Sequence, residues 1–264
     1  MTRAGVAARL RAAGCVWAEE EAGLLVDAAT SADELDRLVA RRVAGEPLEL
    51  LLGWVEFLGR RLHVAPGAFV PRRRTELLAR TTLAHLAALR VPGRVRPVVV
   101  EMCCGVDPVA AGCDGGACEL HAADLSADAL ACARLNAPTA ELHRGDLYDA
   151  LPRRLRGHVD VLVANAPYVP TARIADMPPE ARDHEPREAL DGGTDGVDLH
   201  RRLAAGAPEW LAPGGVLLVE TSPSQAVLTT GAMDRAGLTA HVVTDPEVGG
   251  CVAVGLSPSA AAPA

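Results

Sequence analysis

Residues 98–126 read VVVEMCCGVDPVAAGCDGGACELHAADLS, and the class of fold follows from this stretch. It contains two short apolar runs, VVVEMCC and ELHAADLS, and SADALACARLNA (126–137) then continues as a predicted helix. The same alternation of strand and helix runs on to HVVTDPEVGGCVAVGL (241–256), where two strands flank a polar turn. This pattern predicts an α/β domain with a mostly parallel, doubly wound sheet and an antiparallel edge strand.

The residues at the beginning of the chain have a different pattern. Residues 1–50 contain three segments with apolar residues at helical spacing, so they predict a small N-terminal helical domain. Ser31 is followed three residues later by Glu34, which predicts a capping box at the start of the third helix. Gly45 and Pro47 are expected to end that helix.

The remaining boundaries follow from the same reading. Residues 51–90 predict a linking hairpin, with Gly59 near its turn, and then a helix that opens near Glu76. Residues 91–258 form the predicted catalytic domain. Residues 259–264, SAAAPA rich in small side chains, are expected to be a disordered tail.

The composition narrows the functional classes. All 26 basic residues are arginine, so a lysine Schiff base or a lysine nucleophile is excluded. The formal net charge is -8, and Arg72–Arg74 is the one dense basic cluster, which argues against direct nucleic-acid binding. The sequence starts without the apolar core of a signal peptide and has no apolar window of about 20 residues. We therefore expect a cytoplasmic protein with no membrane partner.

The cysteines do not predict a metal site. The chain has 7 cysteines, four of them between residues 103 and 118, but CC-x8-C-x4-C is not a standard structural-zinc spacing. Ordinary strand and loop cysteines in a reducing compartment are the favoured interpretation.

Acidic residues follow three of the predicted parallel strands, at the sheet edge where such folds bind ligands. Glu101 and Gly105 belong to a turn whose backbone N–H groups could approach a ligand, although Gly105 also suits an ordinary turn. Asp124 could accept hydrogen bonds from ribose hydroxyls or cap the following helix. Asp146 could accept a hydrogen bond from an adenine amino group or lie in a solvated turn.

The segment Asn165-Ala166-Pro167-Tyr168 directly follows the apolar strand DVLVA and is the most informative motif. An amide nitrogen is a poor nucleophile, so its methylation needs acceptors that bind its N–H groups and aim it at the methyl donor. Asn165 offers a side-chain carbonyl and Ala166 a backbone carbonyl, while Pro167 restricts the turn. Tyr168 supplies a flat face for a planar amide or base. An ordinary tight turn is the alternative.

Asn165–Tyr168 resembles the Asn-Pro-Pro-Tyr motif of amino-methyltransferases that act on planar nitrogens. Three further segments, residues 45–59, Val70–Glu76 and Arg182–Gly196, resemble the HemK/PrmC-type protein-(glutamine-N5) methyltransferases, and the last of these is the most specific. The chain therefore resembles this family of release factor glutamine methyltransferases over nearly the whole of its sequence.

The resemblance implies a Rossmann-like class I methyltransferase that uses S-adenosyl-L-methionine. It further implies N5-methylation of the glutamine in the Gly-Gly-Gln motif of a peptide chain release factor, which would be the protein partner. The implied catalytic residues are Asn165, Ala166, Pro167 and Tyr168. The implied cofactor-binding residues are Glu101, Cys103, Gly105, Asp124, Leu125, Asp146, Leu147 and Asn165. The implied substrate-binding residues are Arg72, Arg74, Glu76, Glu185 and Pro186.

The chain departs from the family pattern in its glycine loop, where Cys103 and Asp107 replace two of three glycines. Ala166 replaces the first proline of the later motif, and Arg73 replaces another proline. These departures leave two alternatives open: the same chemistry on another protein, a biosynthetic peptide or a small molecule, or a cofactor-dead or regulatory S-adenosylmethionine-binding module. A DNA adenine methyltransferase shares the motif but fits the acidic balance poorly.

Overall fold

The structure is a computed structural model that describes residues 1–89, 96–113 and 117–259. Four helices open the chain: α1 Arg3–Ala12, α2 Ala18–Ala28, α3 Ala32–Val43 and α4 Leu48–Leu52. Their apolar faces meet in a small core that includes Val6, Leu10, Leu25 and Val39, all fully buried. The helical spacing read from the sequence is thus confirmed.

The segment after these helices is a β-hairpin followed by a helix. Strands β1 Trp54–Phe57 and β2 Arg60–His63 pair antiparallel, and Gly59 lies in the turn with φ of 72°. Helix α5 runs Glu76–Ala88. Both elements agree with the prediction.

The main sheet has seven strands in the order β5-β4-β3-β6-β7-β9-β8. All neighbours are parallel except at β9, which pairs antiparallel with β7 and β8, as predicted. The strands are β3 Val98–Met102, β4 Glu119–Asp124, β5 Glu141–Arg144, β6 Val159–Ala164, β7 Leu211–Glu220, β8 Thr239–Asp245 and β9 Gly250–Leu256. The helices between them are α6 Pro108–Gly112, α7 Ala127–Asn136, α8 Pro179–His184, α9 Asp198–Trp210 and α10 Ala226–Arg235.

The central strands are buried on both faces, which explains their continuous apolar sequences. Because side chains alternate along a strand, Val99 packs in the core beneath α5, α6 and α7, while Val98 and Val100 pack in the core beneath α9 and α10. Helices therefore cover both faces, and the doubly wound prediction is confirmed.

Two local findings add detail to this fold. The Ser31 hydroxyl accepts from the Glu34 N–H, but the Glu34 carboxylate accepts from Thr30 instead of returning to Ser31, so only half of the capping box forms. Strand β7 begins at Leu211, which pairs with Val159 across an irregularity in the ladder.

The predicted tail lies largely outside the described residues, since 260–264 are not among them. Within the described parts of the chain, no helix combines the length and the apolar character needed to span a bilayer.

Candidate active site

A cavity of about 650 Å³ lies at the carboxyl ends of the central strands and extends to the N-terminal helices. This is the switch point of the sheet, because the chain builds β3, β4 and β5 to one side and then returns to add β6 on the other. The predicted site residues that line it are Arg72, Arg74, Glu101, Cys103, Gly105, Asp124, Leu125, Asp146, Leu147, Asn165, Ala166, Pro167, Tyr168 and Pro186.

The loop after β3 keeps the left-handed backbone conformation that glycine favours at all three positions where the family has glycine, although only one of the three is glycine in this chain. Cys103, Gly105 and Asp107 have φ values of 51°, 54° and 65°, all in the left-handed region. Such a conformation costs a non-glycine residue about 1–2 kcal/mol. The departures from the family pattern therefore leave the path of the loop intact and strain it at two residues.

The Asp107 side chain does not crowd the cavity. It is fully buried and is not among the described residues that line the cavity. Neither of its carboxyl oxygens has a conventional hydrogen-bond donor within the described chain. Its near neighbour is the Glu101 carboxyl, and two such groups can bond to each other only when they share a proton.

Glu101 ties the loop to the start of α6. Its carboxyl oxygens accept from the backbone N–H groups of Val109 at 3.1 Å and Ala110 at 2.8 Å. Burial, and then the nearby charge of Asp107, raise the pKa of Glu101 well above its ordinary value. Glu101 thus lines the cavity and also holds the loop in place.

Asp124 is well placed for the ribose of an adenosine. One of its oxygens accepts from Gly105 N–H at 2.9 Å and the other from Ser126 N–H at 2.8 Å. Each oxygen retains a lone pair for a hydroxyl donor. Ser126, not Asp124, caps α7, since the Ser126 hydroxyl accepts from Ala129 N–H. Burial raises the pKa of Asp124.

The next acid is held by a cation. The Asp146 carboxylate accepts from Arg202 at 2.8 Å, and Leu147 follows it in a left-handed conformation with φ of 48°. Leu147 is buried, whereas Leu125 is 57% exposed at the rim. Two apolar side chains and one acid therefore surround the part of the cavity beyond Asp124.

The Asn165 amide has a defined orientation. Its Nδ2 donates to the Thr75 hydroxyl at 3.3 Å, so its Oδ1 remains the acceptor at the cavity. Thr75 is fully buried just before α5, in the segment that follows Arg72. Sequence reasoning did not assign Thr75 a role, although it lies within the Val70–Glu76 segment that carries the resemblance.

Tyr168 is fixed by two charged partners. Its hydroxyl donates to the Glu220 carboxylate at 3.1 Å and accepts from Arg74 Nε at 2.8 Å. Burial, and then the Glu220 charge, raise the pKa of Tyr168, so the hydroxyl stays protonated. Glu220 ends β7 and was missed by the sequence reading, because a single acid at the end of an apolar strand gives no distinctive pattern.

The 189–196 loop packs directly against the Asn165–Tyr168 turn. A Cβ at Gly192 would lie 2.8 Å from the Pro167 carbonyl oxygen, and one at Gly196 would lie 2.3 Å from the Tyr168 carbonyl oxygen. Gln225 donates to that same Tyr168 carbonyl at 2.8 Å. Close backbone approach explains the glycines of this loop.

Arg42 joins the N-terminal helices to the catalytic part of the chain. Its guanidinium is buried, binds Glu21 on α2 at 2.6 Å and binds Glu180 on α8 at 2.6 Å. All three side chains line the cavity. The helical segment therefore forms one wall of the same cleft.

Two predicted substrate-binding residues are not among the described residues that line the cavity. Glu76 pairs with Arg80 one helical turn along α5. Glu185 has a fully buried side chain that binds Arg72 at 2.7 Å and lies under the cavity wall. The structure therefore gives both carboxylates an internal partner and does not bring them to the cleft.

A doubly wound sheet with an antiparallel final pair and an acid-lined cavity at its switch point is the fold of class I S-adenosylmethionine-dependent methyltransferases. The same fold occurs in a methyltransferase from Pyrococcus furiosus, which superposes with a TM-score of 0.52 at 15% identity, covering 83% of this chain and 97% of that one. No protein-family model matches the sequence.

Curated relatives identify the family. The release factor glutamine methyltransferase of Streptomyces coelicolor is 40% identical over 71% of this chain and 67% of its own length. The release factor glutamine methyltransferase of Bradyrhizobium diazoefficiens is 35% identical over 85% of this chain and 82% of its own length. The chain belongs to the release factor glutamine methyltransferase family. A 4-amino-L-phenylalanine/4-methylamino-L-phenylalanine methyltransferase of Streptomyces pristinaespiralis is also 35% identical, over 86% of this chain and 78% of its own length.

Proposed function

We propose that this protein transfers the methyl group of S-adenosylmethionine to the side-chain amide nitrogen of the glutamine in the Gly-Gly-Gln motif of a peptide chain release factor. The observation that carries the proposal is the fixed Asn165 amide, whose nitrogen is engaged by Thr75 and whose oxygen is left to accept an N–H from the substrate. An acceptor of this kind suits an amide substrate better than a hydroxyl or a carbon.

The residues present fit the cofactor. Asp124 has a free lone pair on each oxygen for the two ribose hydroxyls. The Cys103–Gly105 turn and Glu101 would hold the methionine end, and Leu125, Asp146 and Leu147 would surround the adenine. When bound, S-adenosylmethionine supplies an electrophilic methyl group on a positively charged sulfur.

The chain's contribution to the reaction is positioning. Asn165 Oδ1 accepts one N–H of the substrate amide and so aims the nitrogen, while Tyr168, fixed by Glu220 and Arg74, offers a ring against which the flat amide can pack. As the nitrogen gains a methyl group it releases one proton to solvent. The shape of the cleft, and not a strong base, carries the catalysis in this proposal.

The partner is proposed to be a protein because the cleft continues beyond the catalytic turn. Its wall on the N-terminal helices includes Trp17, 67% exposed, and Val16 beside it is 81% exposed. Large exposed apolar side chains next to a cleft are typical of a protein-binding surface. A release factor substrate also implies a cytoplasmic reaction.

A small aromatic amine is the second candidate substrate. It is favoured by the relative from Streptomyces pristinaespiralis, which is named as a methyltransferase of 4-amino-L-phenylalanine and 4-methylamino-L-phenylalanine. Ala166 has a smaller side chain than the proline expected at that position, which is compatible with a different acceptor.

Competition in one vessel tests the two candidates. The enzyme is given limiting methyl-labelled S-adenosylmethionine with equal concentrations of 4-amino-L-phenylalanine and the release factor of the same organism, and both products are counted. We expect label in the protein and none in a release factor whose tip glutamine is changed to alanine. Label that accumulates in the amine, with an unlabelled protein, would reject the release factor.

A further inference from the structure

A cluster of two histidines and two glutamates lies on one face of the β4–β5 strand pair, away from the catalytic turn. Glu119 and His121 are two residues apart on β4, and Glu141 and His143 are two residues apart on β5. Residues two apart on a strand share a face, and the register places His121 directly opposite Glu141. The pairing of the two strands therefore brings all four side chains together.

The distances within this cluster match those of metal ligands. His121 Nδ1 lies 3.1 Å from His143 Nε2 and 3.7 Å from a Glu141 carboxylate oxygen. The three atoms lie within 4.8 Å of one another. A tetrahedral zinc ion with bonds of about 2.0–2.1 Å sets its ligand atoms about 3.3–3.4 Å apart. The two distances from His121 Nδ1 differ from that geometry by only a few tenths of an ångström.

The fourth side chain fixes the tautomer that a metal requires. Glu119 accepts from His121 Nε2 at 3.0 Å, so the Nε2 carries the proton and Nδ1 presents a lone pair to the cluster. A carboxylate that binds the far nitrogen of a histidine ligand is the common second partner in metal sites. His121 is 1% exposed, which holds this orientation.

One neighbouring cation affects the ligands. Arg154 forms an ion pair with Glu141 and so competes for its carboxylate. Arg154 binds Oε2, the same Glu141 oxygen that lies 3.7 Å from His121 Nδ1, so a metal ion would bind Oε1 instead or displace Arg154.

We propose that His121, His143 and Glu141 bind a divalent transition metal ion of the zinc class, with Glu119 orienting His121. Two imidazoles, one carboxylate and water complete a coordination sphere of ordinary type. The ion fastens the edge strand β5 to β4. Strand β4 ends at Asp124, and Asp146 follows the end of β5 by two residues, so the site stabilises the framework beneath the cofactor cavity without touching the cavity itself.

Metal titration of the whole protein, after dialysis against a chelator, tests the proposal. Zn²⁺ binding is followed by calorimetry, and Co²⁺ serves as a coloured substitute whose visible bands report nitrogen and oxygen ligands. We expect one site per chain, a higher thermal midpoint with zinc, and no intense thiolate band. A thiolate band would assign the metal to the cysteines and overturn the proposal.

Four variants sharpen the test. His143→Gln should weaken zinc binding by at least about tenfold, and Glu119→Ala by about 10- to 100-fold. Arg154→Ala should strengthen it, because the competing cation is gone. The matched control is His241→Gln, which alters an exposed histidine on β8 at the opposite edge of the sheet and should change nothing.

A His121–His143 pair that only forms a hydrogen bond, and binds no metal, would give a different result in the zinc titration. If wild type binds zinc no more tightly than His143→Gln, the cluster is a hydrogen-bonded pair and the proposal fails. Glu141→Ala, which alters a half-exposed side chain, provides a second comparison if His143→Gln does not fold.

Discussion

Replacing Asp107 should stabilise the protein, and by more at pH 8 than at pH 5. Asp107 is fully buried with no conventional donor within the described chain, and its neighbour is the Glu101 carboxyl. An acid whose pKa is raised by folding keeps its proton in the folded state. The buried carboxyl therefore costs no stability below its unfolded-state pKa. The free energy of unfolding then falls as pH rises from that value through the folded-state pKa.

The size of the effect follows from the shift and the backbone. Burial raises the pKa of Asp107 from 3.8 to about 6, which corresponds to roughly 3 kcal/mol of lost stability at pH 8 and about half of that at pH 5. Asp107→Gly also removes the strain of a φ of 65°, about 1–2 kcal/mol, against an unfolded-state cost of about 1 kcal/mol. We expect a net gain of about 3–4 kcal/mol at pH 8.

Urea denaturation at pH 5 and pH 8, followed by tryptophan fluorescence, measures this gain. Asp107→Asn is the control, because it removes the charge and keeps a side chain in the left-handed turn. Both variants should gain about 1–1.5 kcal/mol more at pH 8 than at pH 5. Equal gains at the two pH values, or a loss in both variants at pH 8, would refute the buried carboxyl pair.

Three further variants test the site and the cleft. Asn165→Ala should abolish methyl transfer with a nearly unchanged calorimetric Kd for S-adenosylmethionine; loss of both would make the turn structural. Asp124→Ala should weaken cofactor binding by about 1–3 kcal/mol, roughly 5- to 150-fold, and an unchanged Kd would remove Asp124 from the site. Arg42→Ala should lower the urea-derived free energy of unfolding by about 3 kcal/mol, because Glu21 is left buried without its partner. Arg41→Ala, which breaks an exposed pair, should change it by less than about 1 kcal/mol, and equal effects would contradict the role of Arg42.

The fold could be predicted because its signals are local. The apolar runs at β3 and β6 are continuous since both faces of these strands are buried, and the final two strands flank a polar turn. The acids at the strand ends could be predicted as well, because the topology of a doubly wound sheet brings those ends together. Asp124 and Asn165 accordingly line one cavity.

The residues that the sequence could not reveal act through distant partners. Glu220 is separated by 52 residues from Tyr168, and Arg42 is separated by 138 residues from Glu180. Neither pair has a spacing that a pattern can detect. The buried position of Asp107 was also hidden, because the sequence shows a charge in a glycine loop but not the direction of its side chain.

The most direct test of the proposed reaction is to locate the transferred methyl group. The release factor is methylated with labelled S-adenosylmethionine, digested, and its peptides are fragmented in a mass spectrometer, with wild-type enzyme and with Asn165→Ala in parallel. The account predicts label on the nitrogen of the Gly-Gly-Gln glutamine with wild type and none with the variant. Label on another residue, or equal label with both enzymes, would contradict it.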